Sequence, residues 1–155
     1  MAKSAVEAIY IAGRKGEPMT SVVVATARAG LGVEGDRTFR PGGNEPDREI
    51  TLIEVEAIEA LIRDEAVPFV PGESRRNVVT RGVALNHLVG REFAVGPVRL
   101  RGIRLCEPCD HLEKLTRTGV KKGLLHRGGL RAQILEGGPI RVGDPVLMDP
   151  ADARD

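Results

Sequence analysis

Val98-Arg99-Leu100-Arg101-Gly102-Ile103-Arg104-Leu105-Cys106-Glu107-Pro108-Cys109-Asp110-His111-Leu112 carries a strand-like run into both cysteines of the chain. The strand, Val98–Leu105, leads in, and a short helix, Asp110–Leu115, leads out. Thiolates are the strongest soft nucleophiles and metal ligands among side chains, and a strand end is a rigid mount for one. A redox dithiol of the thioredoxin kind would need this unit inside a βαβ pattern. The pattern of the remaining chain is different, and that difference sets the fold.

Working outward, residues 6–11 read as a strand, 12–18 as a Gly- and Pro-containing loop, and 22–26 as a second strand buried on both faces. Residues 29–43 hold Gly30, Gly32, Gly35, Gly42 and Gly43 and form a long irregular segment, a kind that is usually functional or mobile. Residues 48–53 read as a strand. A helix follows, with Val55, Ile58, Leu61 and Ile62 on its apolar face, and Val67-Pro68 ends it. Thr51 and Glu54 have capping-box spacing. Residues 77–80 are strand-like, 85–90 a helical turn closed by Gly90, and 91–95 a strand joined to Val98–Leu105 across Gly96-Pro97. A short helix is expected over 119–126, strands over 130–135, 140–144 and 146–148, and a frayed polar tail over 149–155. About eight strands and one substantial helix result. Strands do not alternate with long helices, which argues against a parallel doubly wound sheet. The expected fold is mainly β with inserted helices, an antiparallel barrel-like arrangement.

The chain has 155 residues and 41% hydrophobic content, enough for one domain (1–155, core about 6–148) with a packed core. One Tyr, three Phe and no Trp leave that core to aliphatic side chains and weaken any reading with stacked bases. A net charge of +1 excludes a general polyanion binder, so no nucleic-acid partner is expected. Arginine occurs in short clusters, which favours local recognition of a small anion. Two cysteines do not make a secreted disulfide scaffold, the N-terminus lacks a signal-peptide core, and no apolar run reaches membrane-spanning length. A cytoplasmic protein with no membrane partner is the expectation.

The cysteines admit three chemistries. Redox dithiol chemistry lacks its βαβ context. Structural zinc would use Cys106, Cys109, His111 and His126, but a C-x-x-C-x-H cluster is crowded for two separated ligand pairs. The third is one reactive or metal-ligating thiolate supported by the other cysteine. Cys109 follows Pro108 at a helix start, where backbone N–H groups favour a thiolate, and Arg104 adds positive charge nearby. Cys106, at the strand end, suits packing as a small apolar residue. Asp36 suits anchoring of its loop through backbone N–H groups, or orienting an arginine. Asp144 suits a turn. His87 reads as surface or cap, and His126 is the best-placed histidine for proton transfer.

Seven segments in order resemble the stand-alone MOSC domain, the module also found at the C-terminus of molybdenum cofactor sulfurases. They are Gly32-Val33-Glu34-Gly35-Asp36-Arg37, Arg48-Glu49-Ile50-Thr51-Leu52-Ile53, Arg75-Arg76-Asn77-Val78-Val79-Thr80-Arg81-Gly82, Leu88-Val89-Gly90-Arg91-Glu92-Phe93, Cys106-Glu107-Pro108-Cys109-Asp110-His111-Leu112, Arg127-Gly128-Gly129-Leu130-Arg131-Ala132 and Ile140-Arg141-Val142-Gly143-Asp144. The resemblance implies a MOSC-like antiparallel β-barrel around a family cysteine. It also implies binding of sulfur or of a molybdenum–pterin cofactor, and in some members reduction of N-hydroxylated substrates. The Pro-Cys-x-x-Leu context of that cysteine maps onto Cys109, as catalytic group and metal ligand. The N-terminal β-barrel domain of larger members and the pyridoxal-phosphate domain of the sulfurases are not matched, so pyridoxal phosphate is a family-level association only.

A molybdenum–pterin cofactor needs a soft thiolate and donors for a phosphate. The expected cofactor-binding residues are Arg37, Arg48, Arg75, Arg76, Asn77, Arg127 and Arg131, with Asp36, Cys106, His111 and His126 in support. No flavin fingerprint is present and the cysteines are too few for an iron–sulfur cluster, so a separate redox protein would supply electrons to reduce a small-molecule substrate. The alternative is a carrier, with a persulfide on Cys109 received from a sulfur-donor protein.

Overall fold

The computed structural model describes residues 4–148, and the expected tail, 149–155, lies outside the described residues. Strand periodicity sets the layers. In β5 (Ile50–Glu54), Ile50 and Leu52 pack in one apolar cluster and Ile53 in another, because alternate strand side chains face opposite ways. Val78 and Val79 of the neighbouring strand (Val78–Arg81) divide in the same manner.

The order before β5 is β1 (Ala5–Ile11), β2 (Thr20–Val22), β3 (Val24–Arg28) and β4 (Gly32–Val33). After it come α1 (Val55–Glu65), β6 (Val78–Arg81), β7 (Glu92–Val95), β8 (Val98–Leu105), α2 (Asp110–Leu115), α3 (Val120–Gly123), β9 (Leu130–Glu136), β10 (Gly138–Arg141) and β11 (Val146–Met148). Short 3-10 turns occupy Pro46–Arg48, Pro71–Ser74 and Leu85–Leu88. Eight strands form one sheet in the order β11-β7-β8-β9-β5-β6-β1-β2, and β10-β3-β4 form a second. The small sheet covers one face of the large sheet, contributing Ala25, Ala27, Val33 and Ile140 to the first cluster. Helices α1, α2 and α3 cover the other face with Val55, Ile58, Leu61, Leu112, Val120 and Leu124.

The fold is mainly β with inserted helices. Its sheets are not closed, so barrel describes it only loosely, although Ala5 bridges Pro145 just before β11. One pair is parallel: β5 and β6, joined through α1. The strand expected over 22–26 is split. β2 pairs with β1 and β3 with β10, and Val23, where the chain changes sheets, is 78% exposed rather than buried. An unbroken valine run carries no mark of such a switch. Ile62 lies on the exposed side of α1. Thr51 belongs to β5, and Glu54 precedes α1 without a side-chain cap. The helix expected over 119–126 is confined to α3.

Glu49 is a buried carboxylate tying the glycine-rich loop to β9. Its Oε1 accepts the Gly30 N–H at 3.0 Å and the Ile134 N–H at 3.1 Å. Burial pushes its pKa up, against those two hydrogen bonds. A folded pKa above the unfolded one means the native state binds more protons, so this group's contribution is full below the unfolded pKa and is lost as pH rises through the folded one. Glu49→Gln keeps an amide oxygen as acceptor and removes the buried charge. Relative to wild type it is expected to gain urea stability between pH 4 and pH 7.5, a window spanning the upward-shifted titration; paired urea melts at the two pH values check this.

Candidate functional site

Four adjacent strands bring the site together. Arg104 of β8 is paired with Arg131 of β9, Arg131 with Thr51 of β5, and the Thr51 N–H donates to Asn77 Oδ1 at 3.1 Å beside β6. The β8–β9 register shifts between Gly102 and Arg104, a bulge-type irregularity that can re-aim a strand side chain. Like charges directly opposite on neighbouring strands repel. Asp47 offsets part of this: its Oδ2 accepts Arg104 Nε at 2.9 Å, and its carbonyl oxygen accepts Arg131 Nη1 at 3.3 Å. The Arg104 hydrogen bond holds the Asp47 carboxyl below the usual range.

Above this row lies a cavity of about 270 Å³. Six arginines line it, Arg37, Arg48, Arg75, Arg76, Arg104 and Arg131, against a single lining carboxylate, Asp36. Thr38, Thr51, Asn77 and Cys106 complete the lining. Asp36 does both jobs expected of it. Its Oδ1 accepts the Ala12 N–H and Arg37 Nη1, each at 3.1 Å, and its Oδ2 accepts the Thr38 hydroxyl at 2.7 Å. Arg37 is thereby fixed, with Nη2 donating to the Arg75 carbonyl at 3.1 Å.

Consecutive arginines diverge here because Arg75 has a left-handed backbone, φ 62°. Arg76 is buried under the cysteine loop. Nε donates to Gly128 O at 2.7 Å, Nη1 to Ser74 O at 3.2 Å, and Nη2 to Cys106 O at 2.9 Å and Glu107 O at 3.4 Å. Burial lowers its pKa, while the neighbouring Cys106 and, more weakly, Cys109 act in the opposite direction. Both sulfurs therefore lie within electrostatic reach of this cation. Two guanidinium nitrogens, Arg75 Nη2 and Arg131 Nε, are buried without an acceptor. An unpaired buried donor costs about 1–3 kcal/mol.

The expected residues fall into three groups. Arg37, Arg48, Arg75, Arg76, Asn77, Arg131, Asp36 and Cys106 converge on the cavity. The Asn77 amide is already committed to Thr51 and to the Tyr10 carbonyl, and the Arg76 guanidinium to backbone oxygens. Cys109 does not line the cavity; it is exposed at the start of α2, a helix of six residues with little dipole behind it. Cys106 is the buried cysteine. Arg127 and His111 are exposed, and the Arg127 charge acts on Glu54 and Asp64. His126, also with left-handed backbone (φ 62°), is held by Glu107, which accepts its N–H through Oε1 and meets Nδ1 through Oε2, each at 2.7 Å. No three His, Cys, Asp or Glu side chains among the described residues are grouped to hold a metal ion. Arg104, Thr38, Thr51 and Glu107 were not among the expected site residues; His126 was, but not its clamp by Glu107. Arg104 was signalled only by its position before Cys106, and the clamp joins residues too far apart for sequence spacing to reveal.

A model of the MOSC domain matches residues 35–147, and the chain belongs to the MOSC domain family. Among solved structures it is similar to YuaD from Bacillus subtilis (TM-score 0.80, 18% identity, 94% of each chain covered). It is also similar to YiiM from Geobacillus stearothermophilus (TM-score 0.72, 17% identity, 94% of this chain and 75% of that one) and YiiM from Escherichia coli (TM-score 0.69, 16% identity, 96% and 70%). These likenesses establish the shared fold. No curated protein matches the sequence.

Proposed function

We propose that this MOSC protein binds a molybdenum–pterin cofactor and takes part in reducing N-hydroxylated compounds with electrons from a separate redox protein. The observation that carries this reading is the cavity of six arginines facing one carboxylate, with two buried guanidinium nitrogens lacking acceptors. That donor set fits a phosphate-bearing group. Arg48, Arg75 and Arg131 would hold the phosphate, with Arg37 and Arg104 adding charge from their carboxylate-braced positions. Cys109, by the family resemblance, would supply the soft thiolate for the metal from the exposed end of the cysteine loop, outside the cavity lining, and Cys106 contributes to the cavity wall itself. The cofactor, when bound, supplies the redox chemistry. The chain binds and orients it, and the Glu107–His126 pair can hold a proton beside the cysteine loop.

The exposure of Cys109 supports a second reading, a carrier whose persulfide passes to an acceptor protein. The two are separated by metal analysis and intact mass on protein purified from a host that makes the cofactor. The first reading expects bound molybdenum in wild type and Cys106→Ser, and its loss in Cys109→Ser. An adduct of about 32 Da on Cys109 without molybdenum favours the carrier. Loss of molybdenum in Cys106→Ser but not in Cys109→Ser contradicts the assignment of Cys109.

A further inference from the structure

The turn Pro46–Arg48, between the glycine-rich loop and β5, touches three of the six cavity arginines. Arg48 belongs to it, the Asp47 carboxylate holds Arg104, and the Asp47 carbonyl oxygen accepts from Arg131. The turn is itself anchored. Proline at its first position fixes φ there, and the Arg48 N–H donates to Glu45 O at 3.0 Å. Asn44, just before it, accepts the Glu45 N–H through Oδ1 at 2.9 Å, while its Nδ2 donates to Thr38 O at 2.7 Å and Leu31 O at 3.1 Å. Asp47 is thus a short side chain on a fixed backbone.

The cavity arginines differ in how far they are committed. Arg76 gives Nε and both Nη atoms to carbonyl oxygens, and Arg37 gives both Nη atoms to Asp36, Met19 Sδ and Arg75 O. The Arg48 guanidinium has no hydrogen bond or ion pair among the described residues. Arg104 stands between these extremes. Asp47 Oδ2 accepts its Nε at 2.9 Å, and neither Nη atom has an acceptor among the described residues. The Arg104 side chain lines the cavity and is 58% exposed, so an anion can reach it from solvent. A guanidinium free to sample rotamers loses that freedom when it closes on an anion, and one already held loses less. Against this, a negative charge beside an anion site opposes binding. Holding Arg104 and adding a negative charge are therefore opposite effects of one side chain.

We infer that Asp47 is a positioning residue for the arginine cavity: it fixes Arg104 through Nε and leaves the terminal nitrogens for a phosphate-type anion. The inference rests on the anion-binding reading of this cavity proposed above. It gives Arg104 direct contact with the anion in addition to its charge.

Pyrophosphate is the probe, titrated calorimetrically against the full chain at one fixed ionic strength. Asp47→Asn removes the charge and keeps an oxygen acceptor, whereas Asp47→Ala removes both, so the lost charge cancels in their comparison. Asp47→Ala is expected to bind about three- to tenfold more weakly than Asp47→Asn, the effect of losing one hydrogen bond. In an Arg104→Met background that difference is expected to vanish, because Asp47 then has nothing to hold; the five remaining arginines keep binding measurable. An ion pair this exposed adds little to fold stability, and urea melts verify that each variant is folded. Equal or tighter binding by Asp47→Ala would mean that Asp47 acts as a charge alone, and a difference that persists in Arg104→Met would mean that it acts through another group. Either result overturns the inference while the cavity still binds pyrophosphate and the anion reading stands. A wild type that does not bind pyrophosphate removes both.

Discussion

Arg76→Met is expected to lower the unfolding free energy by about 2–4 kcal/mol, because the substitution leaves the carbonyl oxygens of Ser74, Cys106 and Gly128 in buried surroundings, and that of Glu107 in half-buried ones, without their donor. Methionine nearly conserves the length and the apolar stem, so the loss isolates the hydrogen bonds. Removal of a desolvated cation offsets part of the cost, which keeps the expectation below the sum of four orphaned acceptors. The same guanidinium joins the turn Pro71–Ser74 to the cysteine loop and to the Gly128 backbone. The variant should therefore also speed alkylation of Cys106, which is buried in wild type. Urea melts together with the rate of Cys106 modification check both effects. An unchanged midpoint and an unchanged rate would mean that Arg76 does not hold this loop.

Gly129→Ala is expected to cost about 3–5 kcal/mol, from a left-handed backbone penalty together with overpacking. Gly129 has φ +117°, and a Cβ there would fall on the Leu52 carbonyl oxygen of β5. Its own carbonyl oxygen accepts the Cys106 N–H at 2.7 Å, so displacing this backbone also displaces the cysteine loop. Gly43→Ala is the control. Its φ is +116°, but nothing lies within 4 Å of the added carbon, so only the backbone penalty of about 1–2 kcal/mol applies. Urea melts of the two variants separate the terms, and equal losses would show that the approach to Leu52 carries no cost.

The sequence made the layers legible where periodicity was clean. Val98–Leu105, Val55–Glu65 and Asp110–Leu115 lie where the pattern puts them. The sheet switch at Val23 was hidden because an apolar run looks alike whether a strand continues or changes sheets. The convergence of Arg37, Arg48, Arg75, Arg76 and Arg131 came from resemblance, since no local spacing connects them. Their meeting point depends on the pairings of β5, β6, β8 and β9, and the place of Arg104 beside them depends on a register shift near Gly102. The burial difference between Cys106 and Cys109 was legible as strand end versus helix start. The capture of His126 by Glu107 was not, because it forms only when the turn after α3 comes back over the cysteine loop.

The most direct test of the cofactor cavity is the molybdenum and pterin content of protein purified from a host that makes the cofactor, with wild type beside Arg48→Met/Arg131→Met. Both arginines line the cavity, and their replacement removes two cations without touching either cysteine. Stoichiometric molybdenum and pterin in wild type, with both lost from a folded double variant, is the predicted result. A wild type free of both, or a double variant that retains both at the wild-type level, would contradict it.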